Sequence, residues 1–199
     1  MTEQYQAYFC EENIWHLATR ISGVVLFMSN PQNQFAIWKQ KLAEQDKQES
    51  LGGEESYIIW DYHVVFARGS QQTRHFENLL QYITQQDCLI YDFDSILPSP
   101  YPAKRYLSES FPIKRHTISP MFHPLFRIID GKEYVKRFWS DRSHMKNERQ
   151  EWSAQPPSWP CIMSTENDPL RLSALLNFHH QHNDTLYRLE DFLFAQDKV

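Results

Sequence analysis

The alternation of apolar and polar residues predicts a chain that mixes helices with strands. From Cys10 to about Ser22, apolar side chains recur at helical spacing, and two acids fall in the first turn, where the helix dipole favours them. Gly23 is expected to end this helix. Apolar runs follow at residues 24–28 and 35–38, and both suit short buried strands.

The clearest strand is predicted at residues 57–67 (YIIWDYHVVFA), which are rich in β-branched and aromatic side chains. Because side chains alternate along a strand, His63 shares a face with Asp61, opposite the apolar face that includes Trp60. The apolar face is the expected core face. His63 is therefore expected to look toward a different environment.

Residues 88–93 (CLIYDF) form the next predicted strand, and Asp92 and Asp94 point to one of its faces. A helix followed by strands and then further helices predicts an α+β fold, with an antiparallel sheet flanked by helices. We expect one domain over residues 1–199. The further helices are predicted at residues 74–85, 133–139, 170–180 and 186–195. Three other stretches are predicted to be a solvated excursion (40–55), an extended or irregular segment with four prolines (97–112) and a surface loop (147–160).

Composition excludes several classes of function. The formal net charge of −5 gives no basic surface of the kind that binds nucleic acid. The sequence shows no apolar run long enough for a signal peptide or a membrane span. Three cysteines are an odd count without framework spacing, which favours free thiols in a reducing compartment. We expect a cytoplasmic protein, although a secreted effector acting in host cytosol would look the same.

Candidate chemistry begins with Cys10, because a helix N-terminus lowers the pKa of a thiol. Glu11 and Glu12 oppose a thiolate unless they point away, and a small buried apolar role is the alternative interpretation. His63 is a candidate general base and acid, or else a hydrogen-bonded core histidine. A carboxylate on a neighbouring strand could orient the imidazole, and the pattern does not choose between Asp92 and Asp94.

The histidines at positions 179, 180 and 182 cluster without an accompanying cysteine. Adjacent positions on a helix point in different directions, whereas metal ligands must converge. We therefore expect a solvated helix end at this cluster and no metal site.

Several segments are specific in their amino-acid sequence. The most specific are IWDYHVV at residues 59–65 and SDRSHMK at residues 140–146. The others are CEENIW (10–15), IWKQ (37–40), IYDFDSILPSP (90–100), FRII (126–129) and PSWPCI (157–162). Together these segments resemble the protein N-terminal glutamine amidohydrolase family, and they occur in family order from Cys10 to about Ile162.

The resemblance implies an enzyme that converts N-terminal glutamine of proteins and peptides to glutamate and ammonia, a step before arginylation and degradation in eukaryotes. It places the nucleophile on Cys10, the histidine on His63 and the acid on Asp92. It also implies a monomer without a cofactor, with a fold related to papain-like and transglutaminase-like thiol enzymes. The stretch at 73–87 is longer than the family pattern, the 40–55 stretch is variable, and the match after residue 162 is weak.

The implied substrate has a free α-amine, so an acid should face the cleft. Glu12 and Asp141 are the candidates, and Trp60 is a further candidate substrate contact. For Asp141, with its neighbours Arg142 and His144, a hydrogen-bond cluster at a helix end is the alternative. A related thiol deamidase or protease acting on an internal glutamine, a transglutaminase and a non-enzymatic binding module remain open as other functions.

Overall fold

The computed structural model describes residues 4–43, 57–70, 78–112, 118–179 and 185–194. Its centre is a six-stranded sheet in which every pairing is antiparallel. In chain order its strands are β1 (Val24–Ser29), β4 (His63–Arg68), β5 (Leu89–Tyr91), β6 (Tyr101–Pro102), β7 (Leu125–Asp130) and β10 (Leu186–Arg188). They lie side by side in the order β10-β7-β1-β4-β5-β6.

Two small sheets lie outside the central one. In the first, β2 (Phe35–Trp38) pairs antiparallel with β3 (Tyr57–Trp60). In the second, β8 (Phe138–Trp139) pairs parallel with β9 (Leu170–Arg171). The helices are α1 (Cys10–Ala18), α2 (Leu79–Thr84), α3 (Ala103–Ser110), α4 (Gly131–Arg137), α5 (Leu172–Leu175) and α6 (Leu189–Leu193), with 3₁₀ turns at Pro120–Phe122 and Ser143–Met145.

Helices cover both faces of the central sheet. Side chains of α1, α4 and α5 pack on one face, and side chains of α2, α3 and α6 pack on the other. Strand β1 is therefore buried at all six positions, which explains its continuous apolar sequence. The predicted antiparallel sheet flanked by helices is confirmed. Among the described residues, the helices are all too short or too polar to cross a membrane.

The prediction of one strand over residues 57–67 is wrong. The segment breaks at Asp61 and Tyr62, so that β3 joins a small sheet while β4 enters the central sheet. His63 lies on the face of β4 opposite Val64 and Phe66, as expected, but this second face is also covered. Helices cover both faces of β4, and His63 is only 1% exposed.

The prediction of an extended or irregular segment at residues 97–112 was based on the four prolines, and it is wrong in part because this stretch contains helix α3. Pro102 lies directly before the first turn, where proline is tolerated because that backbone position needs no intrahelical donor. Gln40 is likewise fully buried instead of solvated, and residues 44–56 of that predicted excursion lie outside the described residues.

Several element boundaries differ from the predictions. Helix α1 ends at Ala18, and Gly23 allows close packing instead, since a β-carbon there would lie 2.3 Å from the carbonyl oxygen of Ala67. The predicted helix at 133–139 ends before β8. The two C-terminal segments each begin with a short strand, β9 or β10, before a short helix. Strand β7 was not predicted, and residues 74–77, His180 and His182 lie outside the described part of the chain.

Candidate active site

Cys10 is the first residue of α1, and this helix packs directly on β4. The thiol is 9% exposed. A hydrogen bond from the backbone N–H of Val64, the second residue of β4, reaches the sulfur and favours its charged form. The packing of α1 on β4 thus brings the sulfur next to the strand that begins with His63.

His63 and Asp92 form a buried pair. Asp92 directly follows β5, the neighbour of β4, and its Oδ1 atom lies 2.9 Å from Nε2 of His63. The ring of Trp60 stacks on the imidazole at 6.0 Å between centroids and 10° between planes. Burial opposes a charged imidazole, but the charge and hydrogen bond of Asp92 outweigh it and raise the pKa of His63.

Asp92 is surrounded by hydrogen-bond donors. Its Oδ1 also accepts the backbone N–H of Asp94 at 2.9 Å, and its Oδ2 accepts Gln40 Nε2 at 3.1 Å and the Tyr106 hydroxyl at 2.7 Å. Burial alone would raise the pKa of this carboxyl. The interactions with His63, Tyr106 and Gln40 reverse that effect and lower the pKa to about 2, so Asp92 is ionised.

The sequence interpretation missed Gln40 and Tyr106, because both lie in stretches predicted to be solvated or irregular. For Tyr106, the sequence contains a pattern of helical spacing that could have revealed it. Buried positions 103, 106, 107 and 110 follow the spacing of one helix face, which the neighbouring prolines obscured. For Gln40 there was no such signal, since its burial depends on a contact with Asp92, 52 residues away.

A cavity of about 170 Å³ opens over the thiol. It brings together the predicted residues Cys10, His63 and Trp60, and Asp92 lies behind His63. Asp94 also faces this cavity, and its Oδ1 accepts the Tyr5 hydroxyl at 2.7 Å. The cavity is lined by Tyr8, Cys10, Trp60, Asp61, Tyr62, His63, Asp94 and Met145.

Within the described residues, His63, Asp92 and Asp94 each offer one possible metal-ligand atom. These atoms lie within 4.8 Å of one another, a spacing that could hold a metal ion. Both oxygens of Asp92 already accept hydrogen bonds, and one of these comes from His63 itself. A metal ion would have to displace the groups that donate these hydrogen bonds to Asp92. The contacts match an aspartate that orients an imidazole better than a set of metal ligands.

Glu11 lies on the other side of the thiol. Its Oε2 atom is 3.8 Å from the Cys10 sulfur and 3.1 Å from the Tyr62 hydroxyl, which in turn lies 3.1 Å from Nε2 of His144. Glu11 is fully buried. Burial, and to a lesser degree the neighbouring charge of Glu12, raises the pKa of Glu11 to about 8, so this carboxyl is mainly protonated at neutral pH.

The expectation of a low thiol pKa at the helix N-terminus is not met. Burial is the largest influence, followed by the charges of Glu11 and Asp94, and together they raise the pKa of Cys10 well above its ordinary value. The N–H of Val64 lowers it only in part. Glu12, in contrast, points away from the sulfur.

Glu12 and Asp141, the predicted amine contacts, are not among the residues that line the cavity. Glu12 is fully buried, and its carboxylate accepts two hydrogen bonds from Arg142, at 2.8 and 2.7 Å, and one from Trp159 Nε1 at 2.6 Å. Asp141 is exposed and accepts the N–H of Ser143 at 2.9 Å, and hydrogen bonding from Ser143 lowers its pKa. Their contacts anchor the turn that carries Met145 to the cavity.

Comparison with known proteins gives one consistent family. A family model described as N-terminal glutamine amidase matches residues 5–194. The chain is 34% identical to protein N-terminal glutamine amidohydrolase from Homo sapiens over 198 aligned residues, which cover 94% of this chain and 85% of that protein. The protein of the same name from Bos taurus is 32% identical over 199 residues, covering 95% and 84%. The one from Danio rerio is 34% identical over 172 residues, covering 82% and 74%.

Proposed function

The chain belongs to the N-terminal glutamine amidase family, and on this premise we propose that it hydrolyses the side-chain amide of an N-terminal glutamine in proteins and peptides. The products are an N-terminal glutamate and ammonia. The observation that carries this proposal is the cavity over Cys10, which joins a buried thiol to the His63–Asp92 pair in a chain of this family.

In the first step we assign Cys10 as the nucleophile. His63 takes the proton from the thiol, and the sulfur attacks the carboxamide carbon of the substrate. Nε2 of His63 is hydrogen-bonded to Asp92, so the proton moves through Nδ1. When the tetrahedral intermediate collapses, the same proton goes to the departing nitrogen, and ammonia leaves a thioester on Cys10. The backbone N–H of Cys10 is the proposed donor to the oxyanion.

In the second step a water molecule enters the place of ammonia. His63 removes a proton from this water while its oxygen attacks the thioester carbon. Collapse of the second intermediate breaks the carbon–sulfur bond, releases the glutamate side chain and returns the proton to the sulfur. Asp92 remains ionised throughout, since it accepts hydrogen bonds from four groups, and it stabilises the imidazolium formed in each step.

The size of the cavity suits one side chain. A volume of about 170 Å³ admits the side chain of a single residue and excludes a folded segment. The exposed ring of Tyr8 lies at the rim, where the second substrate residue would emerge. A nucleophile that opens a helix, followed by a strand histidine and an aspartate on the next strand, is also the arrangement of papain-like and transglutaminase-like enzymes. We assign the fold to that group.

We further propose that the protein works as a cytosolic monomer without a cofactor, in the step that prepares N-terminal glutamine for arginylation. The proposed chemistry is complete with side chains of one chain. All three cysteines are free thiols, which suits a reducing compartment.

The direct test is mass spectrometry of a glutamine-initiated peptide after incubation with the protein. We expect a gain of about 1 Da, the mass change that accompanies hydrolysis of an amide to an acid, with release of one ammonia. Cys10→Ala should abolish the reaction, while the matched variant Cys161→Ala, outside the cavity, should retain it. Near-normal release from Cys10→Ala would exclude the mechanism. Faster conversion of an internal glutamine would favour the alternative deamidase.

A further inference from the structure

The cavity over Cys10 is acidic. Two of its lining residues, Asp61 and Asp94, are carboxylates, and none of the lining residues that the structure describes is a lysine or arginine. A neutral carboxamide needs no negative charge for binding. A carboxylate near the sulfur also opposes formation of the thiolate on which the chemistry depends. Both features are explained if the ligand of this cavity brings its own positive charge.

The proposed substrate carries such a charge at a suitable distance. Four covalent bonds separate the α-nitrogen of an N-terminal glutamine from its side-chain carbonyl carbon, so the two atoms lie at most roughly 5 Å apart. A cavity that holds the carbonyl carbon at Cys10 therefore also holds the ammonium group. The acid that binds this ammonium must then line the same cavity, as Asp61 and Asp94 do and as Glu12 and Asp141 do not.

The two carboxylates differ in how firmly they are held. Asp94 is partly buried; its Oδ1 accepts the Tyr5 hydroxyl at 2.7 Å, and its backbone N–H is bound to Asp92 at 2.9 Å. Asp61 is exposed, and its Oδ1 accepts the N–H of Tyr62 at 2.8 Å. Attraction between charges is stronger where water is partly excluded, so Asp94 is the better ammonium site.

Asp94 lies among several titratable side chains. The titratable groups around it are His63, Asp92, Tyr5, Lys41 and the Cys10 thiol. The Lys41 ammonium donates to the backbone carbonyl of Phe93 at 2.6 Å and lies 5.9 Å from the centre of the Tyr5 ring. Burial raises the pKa of Asp94, whereas His63, Tyr5 and Lys41 act to lower it, so an ammonium group bound on the cavity side would favour the ionised carboxylate.

We propose that Asp94 binds the α-ammonium group of the substrate, so that binding selects free N-termini and neutralises the negative charge that opposes the Cys10 thiolate. The identity of the ligand rests on the proposed function. An acetylated N-terminus would leave Asp94 uncompensated, and the enzyme would then discriminate through the reactivity of the thiol as well as through affinity. Asp61, screened by water, would contribute less.

The test follows alkylation of Cys10 by iodoacetamide, with the modified peptide identified by mass spectrometry. Norleucine amide, which has a free ammonium but no side-chain amide, should protect Cys10, whereas its N-acetyl form should not. Asp94→Asn should lose this protection and lower kcat/KM for glutamine-initiated peptides roughly 10- to 100-fold. Without ligand, Asp94→Asn should react with iodoacetamide at lower pH than the wild type. A variant that was merely damaged would also expose the buried Cys88, so Cys88 should stay unmodified in Asp94→Asn under the same conditions.

Asp61→Asn is the matched control, because it removes the same charge from the same cavity at an exposed position. Equal or larger losses in Asp61→Asn would overturn the assignment, as would retained protection in Asp94→Asn or no protection of the wild type. Ammonia release with equal protection by both ligands would refute the ammonium site and keep the proposed function. Protection by the free ammonium without ammonia release would refute the function and keep the site.

Discussion

Asp92 and Glu11 are two buried carboxyl groups, the first 2.9 Å from His63 and the second 3.8 Å from the Cys10 sulfur, yet their pKa values are shifted in opposite directions. The pKa of Asp92 is lowered to about 2 and that of Glu11 is raised to about 8. Asp92 accepts hydrogen bonds from four groups. Oε2 of Glu11 accepts the Tyr62 hydroxyl and the weak thiol donor, while its buried Oε1 has no hydrogen bond within the described residues and lies 3.8 Å from Nε2 of His144. Burial acts on both groups, so their different partners, above all the charge of His63 beside Asp92, decide the direction of each shift.

The difference suits the proposed chemistry. An ionised Asp92 stabilises the imidazolium of His63, whereas an ionised Glu11 beside the sulfur would oppose the thiolate. Glu12, the next residue along α1, is equally buried but is paired with Arg142 and Trp159. The three buried acids near this cavity thus differ in their partners.

Asp92→Asn is expected to have the largest effect, because it keeps the shape of the side chain and removes its charge. We expect turnover to fall by roughly 10⁴, because an amide leaves His63 in the wrong tautomer and its charged form without a counter-ion. Ammonia release from a glutamine-initiated peptide measures this. Asp168→Asn, at an exposed ion pair with Arg137, is the control and should change little. A loss of less than tenfold in Asp92→Asn would remove Asp92 from the proposed mechanism.

Arg142→Met tests the third acid by leaving Glu12 buried without its partner. We expect the free energy of unfolding to fall by about 3 to 5 kcal/mol, since an uncompensated buried charge is strongly destabilising. Urea denaturation at neutral pH measures the change. Arg105→Met breaks an exposed pair with Glu109 and should cost less than about 1 kcal/mol. Similar losses in both variants would contradict this role for the Glu12–Arg142 pair.

Glu11→Gln tests the raised pKa of Glu11 through the pH dependence of stability. The pKa of Glu11 is about 8 in the folded protein and 4.5 for an unperturbed glutamate, so its contribution to stability is complete below 4.5 and is lost as pH rises through about 8. Wild type should therefore lose a few kcal/mol relative to Glu11→Gln between pH 5 and pH 8, as followed by denaturation at each pH. Glu133→Gln, at a more exposed acid, should show no such trend. A constant difference between wild type and Glu11→Gln would mean that Glu11 is already ionised at pH 5.

Tyr106→Phe is expected to have the smallest of these effects, because it removes only one of the four hydrogen bonds to Asp92. The pKa of Asp92 should rise, and kcat/KM should fall about tenfold, the value of a hydrogen bond to a charged group. Steady-state kinetics measure this. Tyr101→Phe removes a hydroxyl bound to Glu109, away from the cavity, and should leave kcat/KM unchanged. Equal effects of the two variants would show that Tyr106 acts through packing alone.

Much of the architecture could be predicted because it is encoded in neighbouring residues. The helical spacing after Cys10 and the apolar runs that became β1 and β2 are local patterns, and the structure has elements at these places. Where a prediction failed, long-range packing or a boundary residue decided the outcome. Strand β7 lies beside β1 in the sheet although 95 residues separate the end of one from the start of the other (Ser29 and Leu125), and no local pattern reports that pairing.

Local patterns in the sequence were enough to identify a cysteine that opens a helix and a histidine on a strand, whereas Asp92 was predicted on the next strand and lies directly after it. The tertiary structure alone decided their surroundings. It brought Gln40 and Tyr106 to Asp92, left Glu11 with few donors, and turned Asp94 rather than Glu12 toward the cavity. The physical reason is that the charge of a buried acid depends on donors supplied by distant segments, and these meet only when the chain is folded.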